Sequence, residues 1–294
     1  EAVEAFRQIP PLDAGSGPRA AIEIIDTWRA AKDLNKTKEE ADAALKKYPK
    51  ERMVKLAHAS LQADLGKVDE AVAELRALLN GEKDRETYLA IAQVYEKGKR
   101  FTEMGTALDA AEKLSETKQD KITVMFMRGA MFERVKQYDS AEAEFRKVLD
   151  GDPDNAGALN YLGYMLADRN VRLDEAQKLI AKAVELDPQN GAYLDSLGWV
   201  YFRQNRLEEA AGFLQKALQK ISTDPTVHDH LGDVYFKQGK LREAIVQWQS
   251  SLKAYESGGQ SDVDPSDMAK VSKKLETARV RVAKEESLGK DKQQ

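Results

Sequence analysis

The stretch LDSLGWVYFRQNRLEEAAGFLQKAL occupies residues 194–218. In its first half, Leu194, Leu197, Trp199, Val200, Tyr201 and Phe202 point in nearly every direction around a helix. A helix on the surface of a globular protein needs only one apolar stripe. Trp199 and Phe202 therefore need a second surface to face. In the second half Ala210, Leu214 and Ala217 recur at the spacing of one helix face. The whole reads as a helix, a short turn and a helix.

The pattern repeats on both sides. Gly129, Gly163, Gly198 and Gly232 follow one another at intervals of 34, 35 and 34 residues. Ala141, Ala176, Ala210 and Ala244 keep the same step, at 35, 34 and 34. Four residues after each alanine comes Phe145, Ile180, Leu214 or Trp248, and then Val148, Ala183, Ala217 or Ser251. The one extra residue falls in DRNVRLD, a turn, where insertions are tolerated. Gly239 suits the positive φ that ends a first helix. Asp152 and Asp187 precede proline and so close second helices. Asp224-Pro225 opens the next, with Asp as N-cap and Pro at the first helical position.

These units resemble the tetratricopeptide repeat, a helix–turn–helix of about 34 residues. Leu194, Leu197, Gly198, Tyr201, Ala210, Leu214 and Ala217 match its positions 4, 7, 8, 11, 20, 24 and 27, whereas Ser222 stands where the family has proline. Upstream, Tyr88, Ile91, Ala92, Tyr95, Leu108 and Ala111 fit one more unit, with Met104 in place of the usual alanine. Ala59, Gly66, Ala71, Leu75 and Leu78 fit another, in which Lys55 and His58 stand at usual packing positions. The resemblance implies an all-α, right-handed superhelical solenoid of helix pairs with a C-terminal capping helix. Along the chain it divides as follows: residues 1–18, the second helix of a preceding repeat plus a loop; 19–118, three degenerate helix pairs; 119–256, four well-matched repeats; 257–286, a linker and a capping helix; 287–294, a disordered tail. The capping helix presents Met268, Val271, Leu275, Ala278 and Val282 on one face, which suits it to hide the last apolar surface of a stack.

In this family the first helices line a concave face with positions 2, 5, 9, 12 and 13. Here those positions hold Asp195, Trp199, Phe202 and Arg203 in one unit. The flanking units offer Asn160, Tyr164 and Asp168, then Asp229, Asp233, Phe236 and Lys237, with Phe126 from the unit before. A core stripe plus a groove stripe accounts for the apolar belt. For Phe202 and Phe236 the alternative is packing between adjacent first helices. Such an aromatic and acidic groove calls for a protein or peptide with apolar anchors and basic residues. Aromatic side chains are frequent binding hot spots. Some repeats of this family grip a terminal carboxylate with cations at positions 5 and 9. The aspartates here would repel one, which argues against that cochaperone role.

Composition narrows the classes further. There is no cysteine, so thiol catalysis, disulfides and cysteine-based zinc sites are excluded. A net charge of −4 argues against a nucleic-acid surface. No apolar run approaches the roughly 18 residues of a membrane span. His228 and His230, two residues apart on a helix, face different ways and share no metal, and His228 stands at a packing position. GSGP, from Gly15, is a loop rather than a phosphate cradle. Lys46-Lys47 and Lys273-Lys274 read as solvated faces, and Glu39-Glu40 and Glu208-Glu209 as helix starts that complement the helix dipole. No catalytic residue, metal site or cofactor is expected.

The sequence thus points to a non-catalytic scaffold or adaptor. The alternative is the regulatory arm of an enzyme whose catalytic domain lies upstream. Residues 159–210 resemble the C-terminal repeats of long bacterial cell-envelope adaptors, many of them lipoproteins and some delivering substrates to proteases. That resemblance favours a periplasmic or outer-membrane-associated bacterial protein with a lipid anchor upstream, against a cytoplasmic one. The opening EAVEAFRQI reads as half a helix pair, so the chain is either a monomer or self-associates through its repeat ends.

Overall fold

The computed structural model describes residues 1–9, 14–257 and 265–291. Among these the chain is all-α. Two compact units divide it, Glu1–Gln137 and Tyr138–Gln294. The first holds α1 (Ala2–Arg7), a 3-10 turn (Ala14–Ser16), α2 (Gly17–Ala30), α3 (Leu34–Lys47), α4 (Arg52–Asp64), α5 (Val68–Arg76), α6 (Asp84–Lys97), α7 (Phe101–Lys113) and α8 (Lys118–Arg134). The second holds α9 (Tyr138–Gly151), α10 (Ala156–Asp168), α11 (Leu173–Leu186), α12 (Gly191–Arg203), α13 (Leu207–Lys220), α14 (Pro225–Lys237), α15 (Leu241–Ser257) and α16 (Pro265–Asp291).

Within each unit the helices pack in chain order as antiparallel pairs. The tightest are α2 with α3, α4 with α5 and α6 with α7 in the first unit. In the second they are α10 with α11, α12 with α13 and α14 with α15. The first helices of successive pairs also touch: α2 with α4, α4 with α6, α10 with α12 and α12 with α14. Each core is correspondingly local. Leu194, Ala210, Leu214, Ala217, Val227, Leu231 and Val234 form one, drawn from α12, α13 and α14 only.

The repeated small residue marks the closest approach within a pair. A Cβ placed on Gly198 would stand 2.7 Å from Leu214 Cγ and 3.2 Å from the carbonyl oxygen of Ala210. The equivalent atom on Gly163 would lie 2.5 Å from Ile180 Cγ1, and on Gly232 2.5 Å from Trp248 Nε1. The same two sequence positions thus meet in three successive pairs. A second recurrence lies in the backbone. Lys32, Gly66, Lys99, Lys136, Asn170, Asn205 and Gly239 all adopt positive φ, one after each first helix from α2 to α14. At Gly239 the turn closes with Lys240 N donating to Tyr235 O at 2.9 Å and Gly239 N to Phe236 O at 3.1 Å. This double bond pattern satisfies the last carbonyls of the helix and requires a left-handed residue.

Asp224 caps α14, accepting from Thr226 N at 2.8 Å and Val227 N at 3.2 Å, with Pro225 in the first turn. α9 ends at Gly151 before Asp152, and Asp187 caps the end of α11. Several readings need correcting. Glu39 and Glu40 lie in the middle of α3 rather than at its start, and Gly17 begins α2 where a loop was expected. The last helix runs to Asp291, beyond the tail boundary expected at residue 287, because Lys284 to Lys290 contain no helix breaker except Gly289. The linker residues 258–264 and the last three residues of the tail lie outside the described residues. The capping helix lays Val271, Leu275 and Ala278 on Ala244 and Trp248.

Changing Gly198 to Ala should lower the urea midpoint of the second unit, by the equivalent of about 1–3 kcal/mol, because Leu214 and a backbone carbonyl oppose the new methyl. Changing Gly212 to Ala, in the interior of α13 with no atom near its missing Cβ, should raise it by about 0.5–1 kcal/mol. Equal effects of the two would contradict this packing.

Candidate protein-binding face

In the second unit α10, α12 and α14 form the layer of first helices. Their phases are set by polar caps. Asn155 accepts from Ala158 N at 3.0 Å, and Asn190 from Ala192 N at 3.1 Å, in the manner of Asp224. From these starts Tyr164, Trp199, Phe202, Arg203 and Lys237 come together around His230, whereas Phe236 packs on Trp248.

Trp199 is the centre. It is only 7% exposed. Its indole stacks on the imidazole of His230, with ring centroids 4.1 Å apart, and on Phe202, 5.0 Å away. The guanidinium of Arg203 lies 5.6 Å from the indole centroid, and the ammonium of Lys237 4.9 Å from that of Phe202. Tyr164, half-buried on α10, reaches His230 at 6.4 Å between centroids. Asn160 is half-buried beside it in sequence phase, and Asp168 is exposed at the end of α10.

The aspartates are engaged inside the chain. Asp195 is buried and accepts a hydrogen bond from His230 Nδ1 at 2.9 Å. Burial alone would strip the proton from His230. Asp195 outweighs it, aided by the charges of Asp229 and Asp233, and the imidazole pKa lies above its ordinary value. Whenever His230 carries its proton, the stack on Trp199 is also a cation–π contact. Asp229 and Asp233 both accept from Lys274 of α16, at 2.8 and 2.7 Å. Burial raises the Asp233 carboxyl, and Asp229 adds to the rise while Lys274 only partly offsets it. Desolvation works against the Lys274 ammonium, but the two carboxylates overcome it and raise its pKa. Phe236 packs on Trp248 at 5.6 Å, with the Arg281 guanidinium 5.6 Å from its ring.

Two functional groups escaped sequence reasoning. Lys274 is no solvated residue, as its position in a basic pair suggested; it is the counter-ion of two aspartates on α14. The buried histidine is His230 and not His228, which is half-buried and bonds Gln247 Oε1 at 2.8 Å. The available signal was register: Asp195 and His230 lie 35 residues apart, one repeat on. Phe126 sits half-buried on α8, in the first unit. His58 of that unit lies between Glu74 at 2.7 Å and Asp42 at 3.2 Å, and both raise its pKa against the effect of burial. Among the described residues no cluster of His, Asp and Glu could hold a metal ion, and no helix is long and apolar enough to cross a membrane.

Comparison with known proteins identifies the repeat. The family model for the tetratricopeptide repeat matches residues 132–191 and again 165–225. Residues 132–225 are tetratricopeptide repeats. A TPR repeat-containing protein of Pseudomonas aeruginosa is 35% identical over 143 residues, which is 48% of this chain and 24% of that one. The chain therefore spans about a quarter of the length of that relative. Among solved structures, a tetratricopeptide-repeat protein of Parabacteroides merdae superposes with a TM-score of 0.61 at 16% identity, covering 89% of this chain and 98% of the other. A chain of the APC/C hetero-tetramer Cut9–Hcn1 gives 0.63 at 15%, covering 94% and 52%. At these identities the two structures speak to the fold alone. The tetratricopeptide-repeat fold implies a scaffold for protein–protein interaction.

The geometry around His230 generates a pH dependence. With its folded pKa above the unfolded value of about 6.5, His230 stabilises the second unit fully at acidic pH, and this contribution fades as pH rises through the folded value. Two-dimensional NMR should place the His230 titration above that of a free histidine, and Asp195→Asn should bring it down; a value at or below that of free histidine would refute the ion pair. Replacing Lys274 with Met should leave two neighbouring carboxylates without a cation. Amide exchange along α16 should then accelerate, while exchange in α10 and α11 stays unchanged.

Proposed function

We propose that the first-helix layer of the second unit, α10, α12 and α14, is the partner-binding face of an adaptor without catalytic activity of its own. One observation supports this most: Tyr164 and Phe202 are half-exposed on that layer, Phe202 stacked on the buried Trp199 and Tyr164 beside the buried His230. Rigid aromatic groups with little side-chain entropy to lose make effective anchors for a bound segment. The expected contacts Asn160, Asp168, Arg203 and Lys237 surround them. Asp195, Asp229 and Asp233 would act from below, by positioning His230 and α16, and Phe236 would serve the junction with α16. The finer role, an envelope adaptor that presents substrates to a protease, draws support from the resemblance of residues 159–210 to such proteins and from the bacterial relative.

A photo-crosslinking amino acid placed at Tyr164 or Phe202 should trap a defined partner from a bacterial envelope extract. The same group at Lys216, on the exposed side of α13, should trap none. Partner capture should fall in the Tyr164→Ala, Phe202→Ala double variant. Capture unchanged in that variant, or cross-links from Lys216 alone, would remove this face from the account.

A further inference from the structure

We infer that the α12–α14 part of this face binds a carboxylate-bearing segment of a partner protein, in which Asp or Glu flanks an aromatic or aliphatic anchor. The inference rests on the binding face proposed above and specifies its ligand. It reverses the charge that a count of aspartates suggests.

The argument is one of charges remaining after internal pairing. Of the acidic residues on the face, Asp195 is buried and spent on His230, while Asp229 and Asp233 share Lys274. Arg203 and Lys237 have aromatic rings as their neighbours and no carboxylate partner among the described residues. They occupy the same repeat position on adjacent first helices. Between them lies the Trp199–Phe202 stack, so the order across the face is guanidinium, indole, phenyl, ammonium. A guanidinium resting on an aromatic face keeps its edge N–H groups for a planar acceptor, and the ring prevents water from solvating its other side. A carboxylate suits that edge, and the half-exposed phenyl of Phe202 offers an apolar seat beside it. Asp168 occupies the same position on α10. It excludes a further acid there and so confines the ligand's carboxylates to the α12–α14 side. The site differs from a clamp at positions 5 and 9, because its cations stand at position 13 and the groups at 5 and 9 are neutralised from within.

Fluorescence anisotropy with the full chain tests this. The probe is a short, end-capped, fluorescein-labelled peptide in which phenylalanine is flanked by glutamates. Its controls replace every glutamate with lysine or phenylalanine with alanine, and a single-stranded oligonucleotide serves as a non-peptide polyanion. The acidic aromatic peptide should bind saturably and weaken with added salt. Both peptide controls should bind more weakly. Arg203→Glu with Lys237→Glu should reduce affinity by about tenfold or more, the scale of a lost charge-assisted contact, and circular dichroism should show the variant folded. Lys216→Glu, on another helix, should leave affinity unchanged and controls for net charge. Tighter binding of the lysine peptide would overturn the charge assignment while leaving the binding face intact. Failure of every peptide to bind would overturn both. Tighter binding of the oligonucleotide, or indifference to the double charge reversal, would show that no carboxylate-specific subsite exists.

Discussion

The second unit depends on one close approach, made in three successive helix pairs. Gly198 lies against Leu214 and the Ala210 carbonyl, Gly163 against Ile180, and Gly232 against Trp248. Where no side chain intervenes, a large residue of the second helix fills the space over the first. The crossing angle of the pair is thereby fixed locally, without help from distant sequence. Stability then becomes a sum of pair terms and neighbour terms. The cores that result are drawn from adjacent helices alone, as the cluster around Leu214 is.

This locality explains what was legible in the sequence. Anything that recurs with the repeat could be read: the glycine–alanine step, the large residue four positions after the alanine, the caps at Asp187 and Asp224, and the turn at Gly239. The left-handed residues at Lys32, Lys99 and Lys136 obey the same rule, but lysine gives no signal for positive φ. There the turn geometry overrides residue preference, at a cost of roughly 1–2 kcal/mol for a residue with a Cβ. The first-helix positions could be assigned because they share the period. Their chemical state was not. The partner of Asp195 stands in the next repeat, and that of Asp229 and Asp233 in a helix outside the repeats altogether, 41 to 45 residues on.

The capping helix illustrates why composition misleads about a surface. It was expected only to cover apolar area, and its Val271, Leu275 and Ala278 do so. Its Lys274 also reaches the last first helix, where its one charge is shared by the two aspartates of α14. The charge a partner meets is what internal pairs leave behind. On this face the aspartates are largely consumed, whereas Arg203 and Lys237 remain against aromatic rings.

Burial of Trp199 and His230 beneath that face has a further consequence. An indole stacked between an imidazole and a phenyl ring has little rotational freedom, and the Asp195 hydrogen bond fixes the imidazole in turn. Phe202 and Arg203 are therefore presented from a floor that is already ordered before any ligand arrives. Association then spends less of its interaction energy on immobilising side chains. The same arrangement ties the face to the repeat behind it, since Asp195 belongs to α12 and His230 to α14. This buried hydrogen bond joins two repeats, so α12 and α14, which carry Arg203 and Lys237, are held together by a polar contact as well as by apolar packing.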